Sequence, residues 1–114
     1  MSIFKKNKAA KPFASYTYTQ SDDRSGFRRV KLSSYGHKPA ENGIRALAGS
    51  DLSLKVIKVD IYKDAYPRAV FSIGRHELGT IWDRYDCFKP IAKGQARAMR
   101  IEIDSGEAFL YYLI

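Results

Sequence analysis

Basic and aromatic side chains alternate in several short stretches of this 114-residue chain. The chain contains eight Tyr, six Phe and one Trp, and its 20 Lys and Arg residues outnumber its 12 acidic residues. This combination is typical of nucleic-acid binding, because cations contact phosphates while aromatic rings stack on bases. The stretches that fit this chemistry contain Tyr16, Tyr18, Arg29, Lys31, Tyr35, His37, Tyr62, Tyr66, Arg68, Arg75 and His76.

The same residue types are also ordinary components of β-strands. Tyr and Phe pack well on a pleated sheet, and the tyrosine hydroxyl can stay in water while its ring is buried. We interpret Trp82 and Phe71 as core residues for this reason. Arg75 is different because it lies at the tip of a predicted loop, and loop tips are rarely needed for folding. Arg75, His76 and the nearby Arg68 are therefore predicted contacts with a bound strand.

The positive charge is concentrated at the start of the chain. Residues 1 to 12 carry a net charge of +4 and residues 13 to 50 carry +3, out of a total of +8. Such asymmetry indicates a polyanionic partner. We predict a flexible basic arm at residues 1 to 12, followed by a single β-barrel-like domain at residues 13 to 114.

Enzyme chemistry has little support in the sequence. The two histidines, His37 and His76, lack a second ligand at metal-binding spacing. Cys87 and His76 have the chemistry of a nucleophile and base, but a cysteine beside Phe88 is better interpreted as a small buried hydrophobe. We predict no enzyme activity, no cofactor and no metal. The single cysteine and the absence of a long apolar run favour a cytoplasmic protein.

Two N-terminal strands are predicted to pair as a hairpin. "ASYTYTQ" and "FRRVKLSS" flank a loop with turn chemistry, "SDDRSG". If Tyr18 faces Arg29 and Tyr16 faces Lys31, one side of the hairpin presents a basic and aromatic face, since opposed residues point the same way. The other side would then carry Thr17, Thr19, Val30 and Leu32.

The rest of the chain predicts five more strands and two short helices. "HKPAENGIRALAGS" indicates a helix, and "DLSLKVIKVDIY" a long strand with a bend between Val56 and Ile57. "RAVFSI" and "ELGTIW" indicate a hairpin around Gly74. Asp83 is a predicted cap for a second helix, "RYDCFK", which should end at Pro90. "QARAMRIEID" and "EAFLYYLI" complete the last hairpin, around a Ser-Gly turn.

Short strands, a bend and few helices favour a mainly β fold, a small partly open barrel with about six to seven strands. The final stretch, "AFLYYLI", is interpreted as a buried strand, although its apolar character also suits an edge strand that pairs with another chain.

The order of features between residues 27 and 104 resembles the HIRAN domain family. "VKLSSYGHKP" resembles the first family strand with its aromatic-glycine turn, and "ENGIRALAGSDLSLKVIKVDIY" resembles the connection into the long strand. "AYPRAVFSIGRHELGTI" and "DRYDCFKPIAKGQARAMRIEI" resemble the later strands and short helix. The family's Asn-Pro-Tyr-Asp motif is replaced here by "KDAY". The resemblance implies an OB-like barrel that binds single-stranded DNA or DNA ends.

Two functions from different classes remain open on this sequence. The first is a nucleic-acid-binding module that holds single-stranded or end-containing DNA or RNA on a basic-aromatic surface. The second is a small protein-protein interaction module, such as a mobile-element inhibitor or accessory factor that acts on a nucleic-acid-processing complex. The sign of the net charge excludes an acidic DNA mimic.

Overall fold

The computed structural model describes residues 11–20 and 25–114. Most of the predicted basic arm (residues 1–10) and the middle of the loop after Gln20 (residues 21–24) lie outside the described residues. The elements of the described chain are β1 (Ala14–Thr19), β2 (Arg28–Lys31), α1 (Lys38–Leu47), β3 (Val56–Tyr62), β4 (Arg68–Ile73), β5 (His76–Trp82), α2 (Phe88–Ala92), β6 (Ala98–Asp104) and β7 (Glu107–Leu113).

The strands form two antiparallel sheets. Sheet A has the order β1-β3-β4-β5, and sheet B has the order β2-β7-β6. The two sheets do not close into one continuous barrel. The predicted fold class is therefore confirmed: the described chain is mainly β, with seven strands and two short helices.

The core lies between the inner faces of the two sheets. Alternate residues of each strand point inward, as the period of a β-strand requires. Sheet A contributes the fully buried Ile57, Val59, Ile61, Ala69 and Phe71. Sheet B contributes Met99, Ile101, Ala108 and Leu110.

One contact joins the sheets beside β5. Just after β2, the backbone of Ser33 pairs with that of Thr80, and the two N–H···O distances are 2.9 and 3.0 Å. The neighbouring Gly79 has φ +144°, and a Cβ on it would lie 2.6 Å from the Cβ of Leu32. Glycine is therefore required at position 79, since a side chain there would push the two strands apart.

A side chain joins the sheets on the opposite side. Gln20, at the end of β1, is only 4% exposed. Its amide oxygen accepts a hydrogen bond from the backbone N–H of Ile101 in β6 at 2.5 Å, and its amide nitrogen donates to the carbonyl of Leu52. Because both bonds are buried, this one side chain provides partners for a backbone carbonyl and a backbone N–H that are shielded from water.

The predicted hairpin of the first two strands is wrong. β1 pairs with β3, and β2 pairs with β7. Tyr16 and Tyr18 point toward the core, whereas Ser15, Thr17 and Thr19 are exposed. The two tyrosines do not share a face with Arg29, because β1 belongs to sheet A and buries them against the core, whereas Arg29 is exposed on the outer face of sheet B.

Three boundaries also differ from the sequence prediction. The strand predicted at residues 51–62 begins only at Val56, because the preceding residues form a turn in which Leu54 has φ +70°. The second helix begins at Phe88, and Pro90 lies inside its first turn, where no backbone donor is needed. Asp83 therefore does not cap it.

The predictions for the two later hairpins are confirmed. β4 and β5 flank Gly74, and β6 and β7 flank Ser105 and Gly106, whose φ values of 54° and 79° are typical of a tight two-residue hairpin turn. β7 is the central strand of sheet B, so the buried interpretation of "AFLYYLI" is confirmed and the edge-strand alternative is wrong.

The Gln20 contact gives a test of how the sheets are joined. We expect Gln20→Ala to lower the free energy of unfolding by about 2 to 4 kcal/mol, because a buried N–H and a buried carbonyl lose their partner. Urea denaturation followed by far-UV circular dichroism measures this change. Gln95→Ala, at an exposed site, is the matched control and should change stability by less than about 0.5 kcal/mol. Equal effects of the two substitutions would contradict the role of Gln20.

Candidate nucleic-acid interface

Aromatic side chains line one end of the outer face of sheet A. Tyr62 pairs with Arg68, and Arg68 pairs with Trp82, so these three residues lie side by side across β3, β4 and β5. The backbone N–H of Phe13 bonds to the carbonyl of Ile61, which places Phe13 beside Tyr62 at the other edge. We call Phe13, Tyr62, Arg68 and Trp82 the aromatic row. With strands about 4.8 Å apart, it is about 14 Å long.

Arg68 fixes the centre of the aromatic row. Its guanidinium carbon lies 4.4 Å from the centre of the Tyr62 ring. Its Nη1 donates to both carboxylate oxygens of Asp64, at 2.9 and 3.1 Å, and to the carbonyl of Tyr66 at 2.9 Å. Arg68 therefore holds the loop between β3 and β4 against the sheet and supports the Tyr62 ring.

The ionisation of two neighbours follows from this arrangement. The backbone N–H of Tyr66 and the Arg68 guanidinium hold the pKa of Asp64 below its ordinary value, so Asp64 is charged at neutral pH. Burial raises the pKa of the Tyr62 hydroxyl, and the negative charge of Asp60 raises it further. Tyr62 is therefore neutral at physiological pH and presents an uncharged ring.

A cleft of about 290 Å³ adjoins the aromatic row. We call it the Trp82 cleft. It is lined by Ser33, Tyr35, His37, Tyr62, Arg68, Val70, Glu77, Thr80 and Trp82. The residues from β3 to β5 form its floor, and the segment between β2 and α1 forms one wall. That segment is positioned by the Ser33–Thr80 pair at one end and by the start of α1 at the other.

Two side chains of this wall differ in their exposure and contacts. Tyr35 is 98% exposed, in a turn where Gly36 has φ +75°. The Nε2 atom of His37 lies 2.7 Å from a carboxylate oxygen of Glu77, whose side chain is 24% exposed. This pair connects the wall to β5 across the cleft.

Five of the predicted site residues come together here. Tyr35, His37, Tyr62 and Arg68 line the Trp82 cleft, and Tyr66, 71% exposed, lies on the loop that Arg68 holds.

Trp82 was assigned to the core from the sequence, and that assignment is wrong. It lies half-buried on the outer face, whereas the assignment of Phe71 to the core is confirmed. A signal for Trp82 was available, since it follows the buried Ile81 and two adjacent residues of a strand face opposite sides.

The other predicted residues lie elsewhere. Tyr16 donates a hydrogen bond to the carbonyl of Ala92 at 3.4 Å, and Tyr18, also directed inward, has its pKa raised by burial. Arg29 and Lys31 lie on the outer face of sheet B, and Arg75 and His76 lie at the opposite end of sheet A from the aromatic row.

Within residues 11–20 and 25–114, groups suited to covalent or metal chemistry are not brought together. Cys87 is buried beside Tyr112, and burial raises the pKa of its thiol, so the reactive thiolate is disfavoured at neutral pH. The interpretation of Cys87 as a buried hydrophobe is confirmed. In the described residues, no group of three or more His, Cys, Asp or Glu side chains could hold a metal ion.

Comparison with known proteins finds no matching family model, no matching curated protein and no matching solved structure. The resemblance to the HIRAN family stays a prediction from the sequence. None of the helices in residues 11–20 and 25–114 is long and apolar enough to cross a membrane.

The position of Trp82 can be tested directly, because it is the one tryptophan of the chain. We expect acrylamide to quench the fluorescence of the native protein, at a level below that of the urea-unfolded protein but well above zero, because the ring is half-buried on an outer face. Stern–Volmer titrations of the native and unfolded protein measure this. Native fluorescence that resists acrylamide would place Trp82 in the core and contradict the structure.

Proposed function

We propose that this protein binds single-stranded nucleic acid on the aromatic row and the Trp82 cleft. The observation that carries the proposal is the gathering of outward-facing aromatic rings at one end of sheet A. Tyr35 is 98% exposed, Tyr66 71% and Phe13 68%, and they adjoin the half-buried Tyr62 and Trp82. Rings of this size are normally buried, and a cluster of them on a surface marks an interaction site.

The dimensions favour a single strand over a duplex. A row about 14 Å long offers stacking positions for two or three bases. Bases in a duplex already stack on one another and hide their faces, so protein rings gain little from them. In a single strand each base that stacks on an aromatic side chain contributes about 1 to 3 kcal/mol.

Positive charge adjoins the row at the Phe13 edge. The Lys63 ammonium lies 4.9 Å from the centre of the Phe13 ring. Lys11 is two residues before Phe13 in the sequence, and Lys5, Lys6 and Lys8 precede it. Because Lys63 and Lys11 lie at this corner, they are available to the phosphates of a strand that lies along the row. The charge of Arg68 is partly balanced by Asp64.

A second candidate function is suggested by the outer face of sheet B. The Arg29 guanidinium carbon lies 3.9 Å from the centre of the Phe109 ring, and Lys31 pairs with Glu107 at 2.9 Å. Arg100 and Glu102 pair on the neighbouring strand at 2.8 Å. A balanced set of charges around aromatic rings is more typical of a protein interface than of a phosphate-binding surface. This face supports the alternative of a protein-protein interaction module.

The proposed function predicts which substitutions weaken binding. We expect the full chain to bind a labelled 12-nucleotide single strand, and Tyr62→Ala and Trp82→Ala each to weaken the affinity about 5-fold to 100-fold through the loss of stacking. Fluorescence anisotropy at two salt concentrations measures this, and the affinity should fall as salt increases because phosphate contacts release counterions. Circular dichroism shows whether each variant is folded.

Matched controls separate this surface from the others. Tyr111→Ala makes the same kind of truncation on sheet B, and Arg75→Ala removes a cation at the far end of sheet A. Neither should change the affinity by more than about 2-fold. Binding that depends on Tyr111 but not on Tyr62 or Trp82 would contradict the assigned surface. No binding to any oligonucleotide at low salt would overturn the proposal and favour a protein partner.

A further inference from the structure

The Trp82 cleft contains a carboxylate, which is unexpected in a site for a polyanion. Glu77 lines the cleft with a side chain that is 24% exposed. A carboxylate so placed would repel a phosphate a few ångströms away, and partial burial strengthens that repulsion. The part of the cleft beside Glu77 is therefore unsuited to a phosphate, and its chemistry suits a group that donates hydrogen bonds.

The Glu77 carboxylate is held in a defined orientation. The Nε2 atom of His37 lies 2.7 Å from one of its oxygens, and the backbone of His37 is positioned because it immediately precedes α1. An ionised carboxylate accepts up to about four hydrogen bonds, so one from His37 leaves capacity on both oxygens. The partner that matches two fixed acceptor atoms is a planar group with two adjacent N–H donors.

The shape of the cleft fits one flat ring system. Its volume of about 290 Å³ is at the low end for small-molecule sites. The Trp82 and Tyr62 rings provide stacking surfaces, and Val70, which follows Arg68 on the outer face of β4, adds an apolar patch. Thr80, 6% exposed, also lines the cleft, and among the described residues its hydroxyl makes no hydrogen bond. A bound ring would give that hydroxyl a partner.

We propose that the Trp82 cleft selects a guanine base, a step that rests on the proposed binding of single strands. Guanine carries two adjacent donors, N1–H and the N2 amino group, which match the two oxygens of Glu77. Adenine and cytosine place a ring-nitrogen acceptor beside their amino group, and that lone pair would face the carboxylate. Thymine and uracil have one donor between two carbonyl oxygens. Glu77 therefore accepts from guanine and repels the other bases.

The test compares 12-nucleotide oligothymidine strands that carry one central substitution. We expect a strand with one guanine to bind about 10-fold more tightly than all-thymine or one-adenine strands, because a bidentate pair discriminates bases by about this factor. Hypoxanthine, which lacks the N2 amino group, should bind with intermediate affinity. Quenching of Trp82 fluorescence and anisotropy of a labelled strand give two independent readouts.

Two substitutions connect the preference to Glu77. Glu77→Gln should abolish the guanine preference, because the neutral amide offers one acceptor and one donor where the carboxylate offers two acceptors. Glu107→Gln makes the same replacement in an ion pair on sheet B and should leave the preference intact. A preference that survives Glu77→Gln, or equal binding of all strands, would overturn the guanine assignment while the proposed function stands.

A titration with GMP distinguishes the source of the base. If GMP quenches Trp82 in the native protein but not in Glu77→Gln, and no oligonucleotide binds, the cleft serves a free guanine nucleotide and the proposed function fails. If neither GMP nor any oligonucleotide binds, both proposals are overturned.

Discussion

The backbone pair between Ser33 and Thr80 determines how the two sheets are joined and where one wall of the Trp82 cleft lies. It joins the segment after β2 to the edge of sheet A, and it forms only because Gly79 lets the two chains approach without a side chain between them. The segment that leaves this pair must then cross the outer face of β5 before α1 begins. Tyr35 and His37 lie on that crossing, so the contact that joins the sheets also builds a wall of the Trp82 cleft.

The outer face of sheet A exposes aromatic rings, which lowers the stability that these rings would contribute if they were buried. Exposed aromatic rings forgo the burial that stabilises a core, and a chain of 114 residues has limited apolar area to bury. Here the inner faces are filled mainly by aliphatic residues, together with Phe71, Tyr112 and the inward-directed Tyr16 and Tyr18, and several large rings remain outside. Arg68 reduces the cost by covering one face of Tyr62 and by tying the adjacent loop to the sheet.

Local signals in the sequence predicted the parts of the fold that depend on neighbouring residues. The hairpins around Gly74 and around Ser105 and Gly106 are short-range structures with recognisable turns, and the α1 helix follows from its apolar spacing. Local signals could not predict the pairing of β1 with β3. The two strands lie about 40 residues apart in the sequence, and which strand β1 pairs with depends on the packing of the whole core.

A bulge explains why part of the site was missed. The register of β4 and β5 shifts between Phe71 and Ser72, so Leu78 is an extra residue in β5. Without the shift, strict alternation from Thr80 would direct Glu77 into the core and Leu78 to the surface. The bulge reverses the direction of both side chains, so Leu78 is fully buried and Glu77 lines the Trp82 cleft.

The Trp82 cleft spans the junction between the two sheets. Ligand binding in the cleft is therefore linked to the docking of the sheets on each other. One wall follows β2 in the chain, and the floor belongs to β3, β4 and β5. A molecule that contacts both sides adds a contact across the junction, and separation of the two sides would remove one wall of the cleft. Occupancy and sheet docking are therefore thermodynamically linked, so a bound ligand stabilises the joined state in proportion to its concentration and affinity.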